Sequence, residues 1–269
     1  MSADPHNAAD PAFTFAFQPI VDTVAREVVG WEALIRGTWD EPAWQVLNQV
    51  SPLRLHLFDQ NARAAAVGLA GRLGIDGALH LNFLQQSLDS YPKTVLTTIE
   101  AALAAGLSPD RIVLEVPESE VIEDRTHFAA LMRDVRARGI QLAIDNFGAT
   151  YASLTILDDL EPDQIKLDMR LIRSADRSGA RQAILRAIRR ACYDLKIDVI
   201  ATGVETIAEY RFLAGQRVRL FQGYLFAKPA FEAFPAVHYP EAALAETARP
   251  PERAVPSRSS GTGRSKKRA

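Results

Sequence analysis

With one cysteine, Cys192, in 269 residues, the chain cannot form an intrachain disulfide, and this suits a reducing cytoplasm, its expected location. No apolar run approaches the roughly 20 residues that span a bilayer, so no transmembrane segment is expected. The amino-terminal MSADPHNAADPAF has neither a basic n-region nor an apolar core, and no signal peptide is expected there. No G-x-G-x-x-G follows the first apolar run, which counts against a dinucleotide-binding sheet. No internal repeat of period about 20–50 is evident. The histidines His6, His56, His80, His127 and His238 show no metal-ligand spacing, and none is assigned a role. What remains is an ordinary globular composition, 48% hydrophobic and 24% charged. The length suits one α/β barrel, a fold that reaches about 250 residues as a single domain.

The net charge of −2 conceals an asymmetry. Residues 245–269 hold seven basic and two acidic residues, a net +5, which leaves −7 on residues 1–244. The tail is also rich in proline, serine and glycine, and disorder is expected over 241–269. Such a tail can meet nucleic acid, an acidic partner or anionic lipid, or simply keep the chain soluble. A short disordered lead is expected over 1–12, and one barrel domain over 13–240.

Within that domain, FTFAFQPIVD and REVVGWEAL read as two strands joined by a short turn, a hairpin. Residues 42–73 are helical in pattern, with Gly74 as the stop. Strand-like and helix-like runs then alternate: strand LHLNF, a helix within 84–106, strand 111–116, helix 119–138 and strand 140–145. A loop over 146–150, helix 151–159, strand 163–167, helix 179–196 and strand 197–201 follow, then a helix from near Glu205. RVRLFQGYLF closes the series, with a short helix expected around 230–234. Eight strand candidates in alternation with helices point to an α/β protein with a closed (β/α)₈ barrel.

The apolar runs repeatedly end on a carboxylate or an amide: Glu32, Asn82, Glu115, Asp145, and then Lys166 with Asp168. In a parallel barrel the strand ends converge, and the chemistry sits there. Three carboxylates and an amide oxygen form a hard, oxygen-only ligand set suited to Mg²⁺ or Mn²⁺. Two such ions activate water and stabilise a leaving oxygen in phosphodiester hydrolysis. Lys166 can meet phosphate charge or orient the nucleophile. The plainer readings are that Asn82, Gln18 and Gln222 are satisfied core amides, that Arg36 salt-bridges Glu32 or another nearby acid, and that Asp168 supports Lys166 or caps the next helix.

The blocks FQPIVD, WEALIRG, LNF, LEVPES, IDNFGATYASL, DQIKLD, GVET and FQGYLFAKP resemble, in order and at near-family spacing, the EAL family. That family comprises bacterial cyclic di-GMP phosphodiesterases and their non-catalytic relatives, and the resemblance covers about residues 13–235. It implies a modified (β/α)₈ TIM-type barrel with an antiparallel first strand. It also implies metal-dependent opening of cyclic di-GMP to linear pGpG, and a homodimer. By position, Glu32, Asn82, Glu115 and Asp145 correspond to metal ligands and Lys166 to the active-site lysine. Glu118 matches the glutamate that steadies the loop after Asp145, and Gln18 and Arg36 match contacts to the dinucleotide. With Asp168, these form the substrate-side set. Gln222 matches a glutamine beside the metal-bound water, and Glu205 the second glutamate of the E-G-V-E segment.

Three departures from the family pattern stand out. Asn146 replaces the second aspartate of Asp-Asp-Phe-Gly, so the second metal site is weakened. Thr202 replaces the glutamate assigned as general base, a role worth about 10²–10⁴-fold. Thr150 replaces a glycine in the loop expected to couple metal occupancy to the dimer interface. The expectation is therefore a degenerate EAL domain that binds cyclic di-GMP with little or no hydrolysis, leaning towards no enzyme. Two alternatives stand beside it. One is an active phosphodiesterase using Glu205 or a water positioned by Gln222. The other is a ligand-free interaction module that regulates a protein partner.

Overall fold

A computed structural model of the chain describes residues 10–84, 93–121, 125–149 and 154–240. Thr150 and the basic tail lie outside these residues, as does most of the expected amino-terminal lead.

The strands β1 (Phe13–Asp22) and β2 (Glu27–Gly37) form the expected hairpin and pair antiparallel, with Gln18 opposite Glu32. Then come β3 (Ala78–Asn82), β4 (Ile112–Pro117), β5 (Gln141–Phe147), β6 (Gln164–Leu167), β7 (Asp198–Ala201) and β8 (Leu220–Phe221). These run parallel, each beside the next, from β2 to β8. β1 closes the ring by pairing antiparallel with β8 as well as with β2. The result is an eight-stranded barrel whose first strand runs against the rest.

The helices lie between the strands: α1 (Ala43–Leu47), α2 (Leu55–Arg72), α3 (Lys93–Ala104), α4 (Glu118–Val121), α5 (Arg125–Ala137), α6 (Thr155–Leu160), α7 (Met169–Ile172), α8 (Gly179–Leu195) and α9 (Ile207–Gly215). Their apolar faces cover the outer face of the barrel. Alternation on β3 sends Leu79 and Leu81 to one face and His80 and Asn82 to the other. Leu79, Leu81, Ile112, Leu114 and Phe17 are essentially inaccessible to solvent. Each such side chain contributes about 1.5–3 kcal/mol relative to exposure. Gly77 makes the approach to β3 possible, since a Cβ there would stand 2.7 Å from the Val29 carbonyl oxygen.

Three expectations are corrected. The helical stretch 42–73 is broken by a 3₁₀ turn at Pro52–Arg54, because Pro52 cannot donate to a continuing helix. Residues 230–234 form no helix. Ala230–Phe231 is a two-residue strand, β9, added to the free part of β1 at Ala16 and Phe17. β5 runs two residues further than expected and takes in Asn146, whose left-handed φ of 55° bends the strand at its end. Asparagine tolerates that conformation better than most residues.

Candidate active site

The barrel centre is organised around Lys166. Its ammonium lies 2.8 Å from Glu32 Oε2, 2.7 Å from Glu115 Oε1 and 3.9 Å from Asp145 Oδ1. Register explains the convergence: Glu32 sits opposite His80 and Asn82 opposite Glu115, so β2, β3 and β4 present their polar groups in adjacent rows. Lys166 reaches in from β6 and is 2% exposed. Burial works against its charge, yet Glu115, Glu32 and Asp145 outweigh that and hold it protonated.

The two glutamates respond differently to the same lysine. Burial pushes Glu115 up to about 8, with the neighbouring Glu32 charge adding to the shift. Burial also opposes the charge on Glu32, but Lys166 and a donated hydrogen bond from Gln222 hold it below the usual carboxylate range. Gln222 Nε2 lies 2.6 Å from Glu32 Oε2. Burial likewise raises Asp145, to about 6. His80 places Nδ1 2.9 Å from Glu115 Oε1, and burial next to Lys166 lowers it to about 3, so it is a neutral imidazole.

The amides at the ring complete this side. Gln18 is buried, donates to the Ala227 carbonyl at 3.1 Å, and accepts from Gln222 at 3.4 Å. Gly223 lets Gln222 take its place, because its backbone packs directly against Val204 and any Cβ would collide there. Asn82 and Arg36 line a cavity of about 310 Å³ that also touches Glu32 and reaches Phe58, Asp59 and Arg63 on α2. Arg36 bonds the Ile35 carbonyl and pairs with Asp40 at 3.5 Å, so the acid it meets is not Glu32. Glu118 accepts from the Gly148 amide at 3.2 Å.

Elsewhere around the mouth the expected residues are engaged differently. Asn146 donates to Asp145 Oδ2 at 2.7 Å. Thr202 donates its hydroxyl proton to the Leu167 carbonyl at 2.6 Å. Glu205 is held by both arms of Arg173, at 2.9 Å each. Asp168 caps α7 by accepting from the Arg170 amide at 2.7 Å, and it pairs with the Arg170 side chain instead of with Lys166.

In comparison with known proteins, the EAL domain matches residues 6–229. The chain belongs to the EAL domain family. The antirepressor BluF of Escherichia coli K12, blue light- and temperature-regulated, is 36% identical over 84% of this chain and 57% of BluF. The probable cyclic di-GMP phosphodiesterase PdeN of the same organism is 29% identical over 81% of this chain and 43% of PdeN. This EAL domain thus spans little more than half of one relative and less of the other. A standalone EAL protein of Vibrio cholerae O395, solved with cyclic di-GMP bound, is 38% identical with a TM-score of 0.82, covering 86% of this chain and 98% of that one. Klebsiella pneumoniae BlrP1, in a manganese and cyclic di-GMP complex, is 37% identical with a TM-score of 0.79, covering 86% of this chain and 58% of that one.

The oxygen-only donor set of this EAL domain suits a hard divalent ion in chemistry and in charge. Burial raises Glu115 and Asp145, with neighbouring carboxylates adding to the shift, so the acids are costly to ionise here without a cation beyond Lys166. Among the described residues no three acidic, histidine or cysteine side chains stand ready as a metal cage. Lys166 occupies the point where the acids converge. Two neighbours, His80 and Arg63, are not among the residues expected from the sequence. His80 backs Glu115, and its alternation with Asn82 on LHLN was the available signal. Arg63 follows Asp59 at i+4 on α2, but nothing local marks it as a cavity residue.

Proposed function

We propose that this EAL domain, over residues 13–240, binds cyclic di-GMP and hydrolyses it weakly or not at all. The observation that carries the reading is the contrast at the barrel mouth. Gln18, Glu32, Gln222, Glu115 and Lys166 form one buried network, while Thr202 offers only a hydroxyl whose proton is already donated to Leu167. A threonine hydroxyl does not accept a proton near neutral pH, and general-base help contributes about 10²–10⁴-fold. The Vibrio cholerae and Klebsiella pneumoniae structures, both with cyclic di-GMP, support the choice of ligand.

In this reading Glu32, Asn82, Glu115 and Asp145 would hold one Mg²⁺ or Mn²⁺, and Asn146 would serve a second ion without adding charge. A bound ion supplies Lewis-acid polarisation of phosphate oxygen and a more acidic water. Lys166 neutralises phosphate charge, Gln18 and Arg36 position the dinucleotide, and Glu118 fixes the loop after Asp145. Gln222 orients Glu32 by its hydrogen bond. The reading also includes a homodimer and a cytoplasmic location. No helix among the described residues is long and apolar enough to cross a membrane.

One observation favours a second reading: the relative BluF is named an antirepressor, which suits a module that acts by binding a protein. Calorimetry with cyclic di-GMP, with and without Mg²⁺, beside an assay for pGpG, separates the readings. Binding with negligible product is expected. Turnover at about 1 s⁻¹ or more, ordinary for enzymes, would make the domain an active phosphodiesterase. Absence of binding would leave the protein-interaction module.

A further inference from the structure

We infer that His80 is a positioning residue of the barrel centre: its Nδ1–H holds the Glu115 carboxylate in the orientation in which Glu115 serves as a metal ligand. The inference rests on the proposed metal role of Glu115 and deepens it. His80 lies on β3, two residues before Asn82, and is 2% exposed. Its Nδ1 stands 2.9 Å from Glu115 Oε1. Register sets the direction of this contact. His80 pairs with Glu32 on β2 and with Val113 on β4, so Glu115, two residues beyond Val113, is its diagonal neighbour on the inward face. Gly30 closes the other side of the ring: a Cβ there would stand 3.2 Å from His80 Cδ2 and 3.3 Å from Nε2. The ring edge carrying Nε2 thus packs where a side chain would otherwise stand, which leaves the Nδ1 edge for Glu115.

Glu115 is fully buried, and its cation, Lys166, lies 2.7 Å from Oε1 and 2.8 Å from Oε2. A flexible lysine that touches both oxygens supplies charge without fixing the plane of the carboxylate. His80 bonds Oε1 alone, from a rigid ring, and supplies the fixed direction. Glu32 is built in the same way: Lys166 brings the charge, and Gln222 is the directed donor at 2.6 Å. In its ionised form, the one that binds a cation, Glu115 only accepts hydrogen bonds, so the His80 proton is on Nδ1. Ligating carboxylates are held by such outer partners, and loss of the partner typically weakens metal binding about 10- to 100-fold.

Calorimetric titration with Mn²⁺ compares wild type with His80→Asn and His80→Leu, each shown folded by its thermal melt. Asparagine offers an N–H from nearly the position of Nδ1, and leucine, of similar size, offers none. Mn²⁺ affinity is expected to fall about 10- to 100-fold in His80→Leu and to be largely restored in His80→Asn. Affinity unchanged in His80→Leu, or lost equally in both variants, overturns the assignment, since a ring that only fills space does not distinguish an amide from an alkyl group. If His80→Leu does not fold, nitrogen NMR of the wild-type imidazole in Mg²⁺ takes its place. A proton on Nδ1 is expected there, and a proton on Nε2 alone overturns the assignment. Wild-type protein that binds neither Mn²⁺ nor Mg²⁺ overturns the proposed metal role of Glu115 and this inference with it, whereas wild-type binding with His80→Leu unaltered overturns this inference alone.

Discussion

Two interleaved sets of strands at the barrel mouth are built alike and are used in opposite ways. In β1, β2, β4, β6 and β8, polar groups bond across strands that are distant in sequence: Lys166 to Glu32 and Glu115, Gln222 to Glu32 and Gln18. At the ends of β5 and β7 the polar groups turn to their own surroundings. Asn146 bonds its neighbour Asp145, Thr202 the backbone of Leu167, and Glu205 the partly exposed Arg173. Long-range bonds in a dry site hold a ligand-shaped arrangement in place, since unpaired polar groups there are costly. Local bonds hold only the loop. In the proposed function the first set is the retained part of the family's chemistry and the second the altered part.

Breaking the centre should have the largest effect. Lys166→Met leaves buried carboxylates without their cation, and a loss of about 3–5 kcal/mol is expected in urea unfolding. A loss no larger than that of a surface variant would dissolve the comparison. The pH dependence of the metal-free protein probes the same centre. Glu115 and Asp145 are raised to about 8 and about 6 from ordinary values of 4.5 and 3.8. Their folded forms hold protons more tightly, so stability is fullest below the ordinary values and is lost as pH rises through about 6 and then about 8. Glu32 is held low and acts in the opposite sense, its contribution disappearing only as pH falls below its ordinary 4.5. His80, lowered to about 3, adds stability as pH rises to its ordinary 6.5, so melting temperatures should decline from about pH 6.5 to about pH 9, and Mg²⁺ should flatten the decline. A flat metal-free profile would contradict the cost of burying Glu115 and Asp145 at the centre.

The outer groups sharpen the contrast. Asp168→Ala removes a helix cap and should cost about 0.5–2 kcal/mol in the same unfolding experiment. Arg173→Ala breaks an exposed pair with Glu205 and should shift the melting temperature least of all. A shift as large as that of Lys166→Met would mean that the β7 side is as tightly built as the centre.

How much of this was legible in the sequence follows from the range of the interactions. The hairpin and the strand-helix alternation are carried by local patterns, and the structure has them where the patterns put them, but Glu32 lies within β2 and not at its end. β9 was not legible: two residues carry no periodicity, and their strand exists only because β1 offers a free edge. The turn at Asn146 follows from a backbone conformation that no hydrophobic pattern signals. His80 and Arg63 were missed because their partners, Glu115 at a separation of 35 residues and the cavity wall, come together only when the barrel closes. Conversely, Asp168 and Glu205 sit at the right strand ends but bond to nearby arginines, which strand-end position alone does not distinguish.

The most direct test of the account restores carboxylates at positions 146 and 202 and leaves the Lys166 network untouched. Thr202→Glu combined with Asn146→Asp is compared with wild type for pGpG formation in Mg²⁺ or Mn²⁺, with cyclic di-GMP affinity measured alongside. The account predicts a gain in hydrolysis of about 10²-fold or more with affinity nearly unchanged. Wild-type protein that already turns over at about 1 s⁻¹, with no gain in the double variant, would contradict it.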